Sequence, residues 1–275
     1  KEELEQQLDR PMFRPRSMRE VGDERIEEKK YEKIAPKTGY TELDDLILGW
    51  VPCHLYTLSG DTNVGKTTIA CNFAERIRSQ GKKVLYFALE PENTVVDYLA
   101  SAREKKHFKE LTDEDIRFED ENIQIYGKDE VENLQDLLQI VRTSAIRYDL
   151  IIIDHIGYFI KDKANYIQEQ ANTLKELKWI VKQMKYAVLV IAHLKKPVTV
   201  KKNYIPTMDD ISGSAAFKQD STEVLLVHRE KMTKDAKDTR LAPEGILIVA
   251  KSKVGPNGFM EIFFSDKHGR IMDRT

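Results

Sequence analysis

Several things are scarce in this chain of 275 residues. Cysteine is one: only Cys53 and Cys71 occur, in different expected elements and with no metal-ligand spacing. That gives no disulfide framework and no zinc module, and it fits a reducing compartment. No apolar run nears the ~18 residues of a membrane span and no secretory leader is read at the start, so no membrane partner is expected. The first residue is Lys1 and not Met, so an earlier segment or domain stays open. An excess of positive charge is also missing. The formal net charge is −2, whereas a simple surface binder of nucleic acid is basic. Any nucleic-acid contact must use charge concentrated locally. What is present is 41% apolar and 33% charged residues, enough for a sizeable core under a solvated surface. The length suits one large α/β domain with an extension.

Residues 1–37 differ from the rest. They are charge-dense, with apolar residues near helical spacing at Leu4 and Leu8 and at Met18, Val21 and Ile26. Pro11 and Pro15 interrupt them. A helical linker is expected, either solvated or docked on a neighbouring subunit. From residue 38 on, one domain is expected. The segments "HLYTLS", "KVLYFALE", "NIQIY", "YDLIIIDHIG", "YAVLVIAHL", "TEVLLVHR", "GILIVAKS" and "MEIFF" read as strands. Continuous apolar runs such as Leu150–Ile153 imply burial on both faces, as in a parallel sheet. One helix is expected from Lys66 to Gln80, ended by Gly81, and another over about 166–185. Strands from about 223 on have short connections and read as an antiparallel extension. Alternating strand and helix give an open α/β sheet.

The most informative stretch is "SGDTNVGKTT", which fits G-x-x-x-x-G-K-[ST] between a strand and an amphipathic helix. Such a loop, Gly60, Asp61, Thr62, Asn63, Val64, Gly65, Lys66, Thr67 and Thr68, turns backbone N–H groups onto phosphate oxygens. Lys66 reaches the β- and γ-phosphates of ATP or another NTP, and Thr67 ligates Mg²⁺. Asp154, at the end of "LIIID", supplies the second metal contact. Glu90, at the end of "VLYFALE", is the candidate base that activates water, with Glu92 its competitor.

The ordered set "TGYTELDDLILG", "FALE", "DHIGYF", "AHLKKP", "DISGSAAFKQDSTEVLLVHRE" and "AKSKVGPNGFMEIFF" resembles the RecA-like hexameric replicative helicases of the DnaB superfamily. It is most similar to the helicase half of phage primase-helicases and mitochondrial Twinkle. The resemblance covers about residues 38–266. It implies a RecA-like P-loop NTPase core and a DNA helicase that works as a homo-hexameric ring on single-stranded DNA. Primase or polymerase are implied partners. The setting would be the cytoplasm of a bacterial or phage-infected cell, or an organelle. It makes His193 the polar sensor of the γ-phosphate. It sets Arg229 and Phe264 (or Phe263) on either side of the base. Two strand-gripping loops follow, one carrying Lys161 and Lys163. The other carries Lys195, Lys196, Lys201, Lys202 and Lys218, with small residues around Gly213.

The chain departs from that pattern in two places. The family's late Lys-x-Arg pair, which reaches into the neighbouring site, is here Lys251 and Lys253. Lysine keeps the charge without the two-pronged guanidinium. Ser212 stands where a glycine-flanked arginine is usual. RecA-type recombinases carry a similar Lys-x-Lys pair, so a DNA-binding filament ATPase is a second reading. A protein-binding regulatory ATPase of the same fold is a third.

Overall fold

A computed structural model describes residues 15–90, 92–162, 164–195, 204–232, 241–265 and 269–273. Leu4, Leu8, Lys163, Lys196, Lys201 and Lys202 therefore lie outside the described residues. The chain divides into a unit ending at Ile34 and a larger one beginning at Ala35.

Within the first unit a helix spans Met18–Ile34. Ser17 and Glu20 start it as a capping box. The Glu20 N–H donates to Ser17 Oγ (3.2 Å), and Glu20 Oε2 accepts the Ser17 N–H (2.7 Å). Its apolar residues Met18, Val21 and Ile26 are exposed. Ion pairs from Arg25 to Glu28 and Glu32 line its surface.

The second unit is built on one nine-stranded sheet in the order β3-β2-β4-β5-β1-β6-β7-β8-β9. The strands are β1 Leu55–Gly60, β2 Val84–Ala88, β3 Ile123–Gly127, β4 Leu150–Asp154, β5 Val188–His193, β6 Glu223–Lys231, β7 Leu241–Lys251, β8 Gly258–Phe264 and β9 Ile271–Asp273. All eight expected strands form. The pairings from β3 through β6 are parallel, and those from β6 to β9 antiparallel. The antiparallel part thus starts one strand later than the sequence reading has it, because β6 itself runs parallel to β1.

Every residue of β1, β2 and β4 is buried, as the apolar runs of β2 and β4 require; β1 also buries Thr57 and Ser59, and the Thr57 hydroxyl shares a hydrogen bond with that of Ser221. Side chains alternate between two cores. Val84, Tyr86 and Ala88 face one, which takes Ile69, Phe73 and Ile77 from the helix Lys66–Arg78. Leu85 and Phe87 face the other, with Leu174, Leu177, Ile180 and Val181 from the helix Tyr166–Met184. Full burial contributes roughly 1.5–3 kcal/mol for each such apolar side chain.

Gly81 takes the left-handed φ of +70° expected of it just after the first helix. Lys185 does the same job after the second at φ 56°. The helices Glu92–Glu104 and Leu134–Thr143 and the strand β9 went unread in the sequence. The second of these helices starts on a capping box between Asn133 and Asp136.

This topology lines up the carboxyl ends of β2, β4, β5 and β1. Ala88 pairs with Asp154, and Gly60 with His193. In open parallel sheets ligands bind at such an edge.

Candidate nucleotide site

The phosphate loop leaves β1 at Gly60 and enters the helix at Lys66. Asn63 and Gly65 take left-handed φ values of 63° and 101°. Val64 is buried and pins the loop, while Asp61, Thr62 and Asn63 are exposed. A methyl group on Gly65 would sit 2.5 Å from Cε1 of Phe264. Gly65→Ala is therefore expected to weaken nucleotide binding well beyond tenfold, measured with a fluorescent ATP analogue. Unchanged affinity would mean that the Phe264 ring yields without disturbing the loop.

Lys66 is buried, and its Nζ donates to the carbonyl oxygens of Gly60 (3.1 Å) and Asp61 (2.8 Å). Burial lowers its pKa, and the charges of Asp154, Glu90 and Asp61 offset part of that. Asp154 is 2% exposed. Burial raises its pKa, while hydrogen bonds from Thr67 and Tyr86 pull it down. The Tyr86 hydroxyl donates to Oδ2 at 3.0 Å. The structure thus joins the helix-end hydroxyl of Thr67 to the strand-end carboxylate of Asp154. Thr68 follows on the same helix, its carbonyl accepting from Asn72 Nδ2 at 2.8 Å.

Glu90 follows β2, its backbone N–H donating to the Asp154 carbonyl at 3.2 Å. Its side chain is half exposed, with Oε1 lying 2.9 Å from His155 Nε2 and 3.7 Å from His193 Nε2. Burial first, then the neighbouring Lys66 and His155, lower the pKa of His193, and Glu90 offsets part of that. Glu92 is placed elsewhere. Its carboxylate approaches Gly127 at the end of β3, on the far side of β2 from the phosphate loop. The geometry favours Glu90 of the two. His155 was not singled out in the sequence; its signal was the "DH" pair at the end of β4.

Other expected residues fall differently. Arg229 and Phe264 do come together, but directly on one another, with the guanidinium carbon 4.0 Å from the ring centroid. Arg229 also donates to the carbonyls of Ala242 and Val64 (2.8 and 3.5 Å). As they stand, they leave no gap for a base between them, so a sandwich requires the pair to part. Phe264 instead packs on Gly65 of the loop.

Lys251 and Lys253 separate. Lys251 turns inward, its Nζ donating to the carbonyls of Lys218 (2.5 Å) and Ser221 (2.6 Å) at the end of the helix Ser214–Asp220. There a cation satisfies carbonyls left open by the helix. The expectation that it reaches a neighbour's site does not fit this placement. Lys253 lies beyond the end of β7 and is exposed.

Among the expected DNA contacts, Lys161 and Lys195 are exposed. Lys218 pairs with Asp209, whose carbonyl also accepts from Lys195 Nζ (3.3 Å). Gly213 is buried at φ +70°, and a Cβ there would lie 2.0 Å from Gln170 Oε1. It is a turn glycine under a neighbouring helix and offers no open backbone to a strand, contrary to the sequence reading.

A phosphate loop after β1, carboxylates at the ends of the adjacent strands β4 (Asp154) and β2 (Glu90) and this strand order define a P-loop nucleotide-binding ATPase of RecA type. The chain belongs to the DnaB-like helicase C-terminal domain family, whose model matches residues 36–273. It is 27% identical over 254 residues to the replicative DNA helicase DnaB of Mycoplasma genitalium, covering 82% of this chain and 54% of that one. It is 23% identical over 256 residues to the DnaB of Geobacillus stearothermophilus, covering 86% and 56%. The chain spans about half the length of these curated relatives. Among solved structures, an ATPase domain determined on its own superimposes with a TM-score of 0.77 at 18% identity, over 95% of this chain and all of that one. A DnaB-like replicative helicase, described with its interactions with primase, gives 0.74 at 18%, over 90% and 67%. The family favours the helicase reading over the recombinase and regulatory readings.

Proposed function

We propose that this chain is the motor domain of an ATP-driven DNA helicase. It would translocate on single-stranded DNA as a homo-hexameric ring and hydrolyse ATP between subunits. The observation that carries this reading is the split of the site. Lys66, Thr67, Asp154, Glu90 and His193 gather at the carboxyl end of the sheet. Lys251 pairs with Val224 near the start of β6, and the chain runs on to exposed Lys253 away from its own loop. Lys253 therefore suits the site of a neighbouring copy.

In this reading the loop N–H groups and Lys66 hold the phosphates, and His193 contacts the γ-phosphate. Glu90 orients and deprotonates the attacking water. Thr67 and Asp154 fit Mg²⁺: they bring a hydroxyl and a carboxylate to one side of the site, and a cation would offset the burial cost that Asp154 carries. Bound there, Mg²⁺ would neutralise charge on the β- and γ-phosphates. Lys161, Lys195 and Lys218, with Lys163, Lys196, Lys201 and Lys202, supply the local positive charge for the DNA backbone. Residues 1–37 serve as the linker that docks on an adjacent subunit. A primase is the proposed partner, and the cytoplasm of a bacterial or phage-infected cell the proposed setting.

The test is steady-state ATP hydrolysis with and without single-stranded DNA at two salt concentrations. Stimulation that fades with salt is expected, because backbone contacts release counterions. Absence of both stimulation and DNA binding would overturn the reading.

A further inference from the structure

Glu90 is the proposed base, and one of its oxygens is already engaged. The partner is His155, the first residue after β4, with Nε2 2.9 Å from Glu90 Oε1. The other ring nitrogen fixes what that contact is. Nδ1 of His155 accepts the backbone N–H of Gly157 at 2.9 Å. A nitrogen that accepts carries no proton, so the ring proton sits on Nε2, the nitrogen that lies against Glu90 Oε1. Glu90, His155 and His193 place three ligand atoms within 4.8 Å of one another, as a metal site would. The tautomer argues against one, since it puts a proton on the atom that would face the ion.

Gly157 belongs to the short turn Ile156–Phe159, which opens the loop carrying exposed Lys161. The contact between turn and ring is close. A methyl group on Gly157 would lie 2.6 Å from Cε1 and 2.7 Å from Nδ1 of His155. The imidazole is 20% exposed and wedged between this turn and the Glu90 carboxylate, with the His193 ring at 4.6 Å. A shift of the turn must therefore move the ring, and the ring holds the base.

We propose that His155 is a positioning residue that couples the turn Ile156–Phe159, which opens the loop carrying Lys161, to Glu90, accepting from the turn on one nitrogen and presenting its N–H to the base on the other. The coupling half rests on the reading of that loop as a single-strand contact; the positioning half rests on the ATPase site alone. When DNA shifts the loop, the Gly157 N–H carries the imidazole with it, and the angle at which Glu90 meets water changes. DNA stimulation of hydrolysis then has a two-bond route.

Two substitutions separate the halves. His155→Asn keeps an acceptor near the Nδ1 position and removes the donor to Glu90. His155→Gln keeps a donor near the Nε2 position and removes the acceptor for Gly157. Both are measured in the assembled full chain by ATPase kinetics and by single-strand binding in fluorescence anisotropy. In His155→Asn the basal kcat is expected to fall ~10-fold or more with KM little changed, a part of the ~10²–10⁴ that general-base catalysis supplies. His155→Gln is expected to rescue most of the basal kcat but to lose stimulation by DNA while still binding it. Gly157→Ala, which keeps both nitrogens but crowds the ring, should lower kcat without raising KM, and it decides the matter if the histidine variants fail to fold. Equal basal kcat in Asn and Gln variants, or a Gly157→Ala enzyme with wild-type kcat, would overturn the positioning role. Full DNA stimulation in His155→Gln would overturn the coupling. Should the wild type show no stimulation, the coupling falls, and if single-strand binding is absent as well the helicase reading falls with it, while the Asn–Gln difference in basal rate still decides whether His155 positions Glu90.

Discussion

Glu90→Gln is expected to bind ATP and assemble like the wild type while turning over ~10²–10⁴-fold more slowly, the range that a positioned general base supplies. The amide occupies the same place at the end of β2, and the backbone hydrogen bond from residue 90 to the Asp154 carbonyl is untouched. Lys66, Thr67 and Asp154, the proposed holders of the nucleotide and its cation, keep their contacts. The substitution should therefore leave KM near its original value and act on kcat. Single-turnover hydrolysis beside equilibrium ATP binding measures both. Wild-type turnover would remove Glu90 from the role. Glu92 is a poor replacement, because its carboxylate lies against Gly127 beyond β2.

Lys253→Ala is expected to lose activity through its neighbour. A cation that reaches the transferring phosphate from an adjacent subunit is worth ~10³–10⁵ in rate when it is arginine, and lysine supplies the charge without the fork. Mixed with Lys66→Ala subunits, Lys253→Ala subunits should partly regain hydrolysis. Hybrid interfaces then combine an intact phosphate loop from one copy with an intact Lys253 from the other. No recovery at any mixing ratio would count against a role in trans. Lys251→Ala is the contrasting case. Its ammonium satisfies two carbonyls of its own chain, so its loss should cost about 1–2 kcal/mol of stability in a denaturant titration. Its defect should not be complemented by mixing.

These two lysines show where sequence reasoning stops. Two residues apart at the end of a strand, they read as a matched pair. Lys251 ends β7 and turns inward, while Lys253 stands past the strand in the turn, in solvent. Arg229 and Phe264 were likewise legible as a base-contacting pair, but their direct stacking depends on how β6 and β8 meet over Gly65. Gly213 looked like an open backbone in a run of small residues, and only the packing of Gln170 shows that it is buried. His155 was visible as the second half of "DH", yet its bond to Glu90 joins residues from two strands far apart in the chain.

What the sequence determined was everything set by short-range rules. The phosphate loop is a local backbone motif between a strand and a helix, so its residues and their spacing suffice. Strands buried on both faces are dominated by apolar residues, so β2 and β4 could be read directly, as could Asp154 at the end of its run. The tertiary structure decided what depends on contacts between distant segments: that Glu90 and not Glu92 lies on the phosphate-loop side of β2, that Lys251 is turned inward while Lys253 is exposed, and that the His155 imidazole sits between Glu90 and the turn after β4. Side-chain direction at a strand end or in a turn is fixed by the neighbours packed against it, and a linear pattern holds no record of those neighbours.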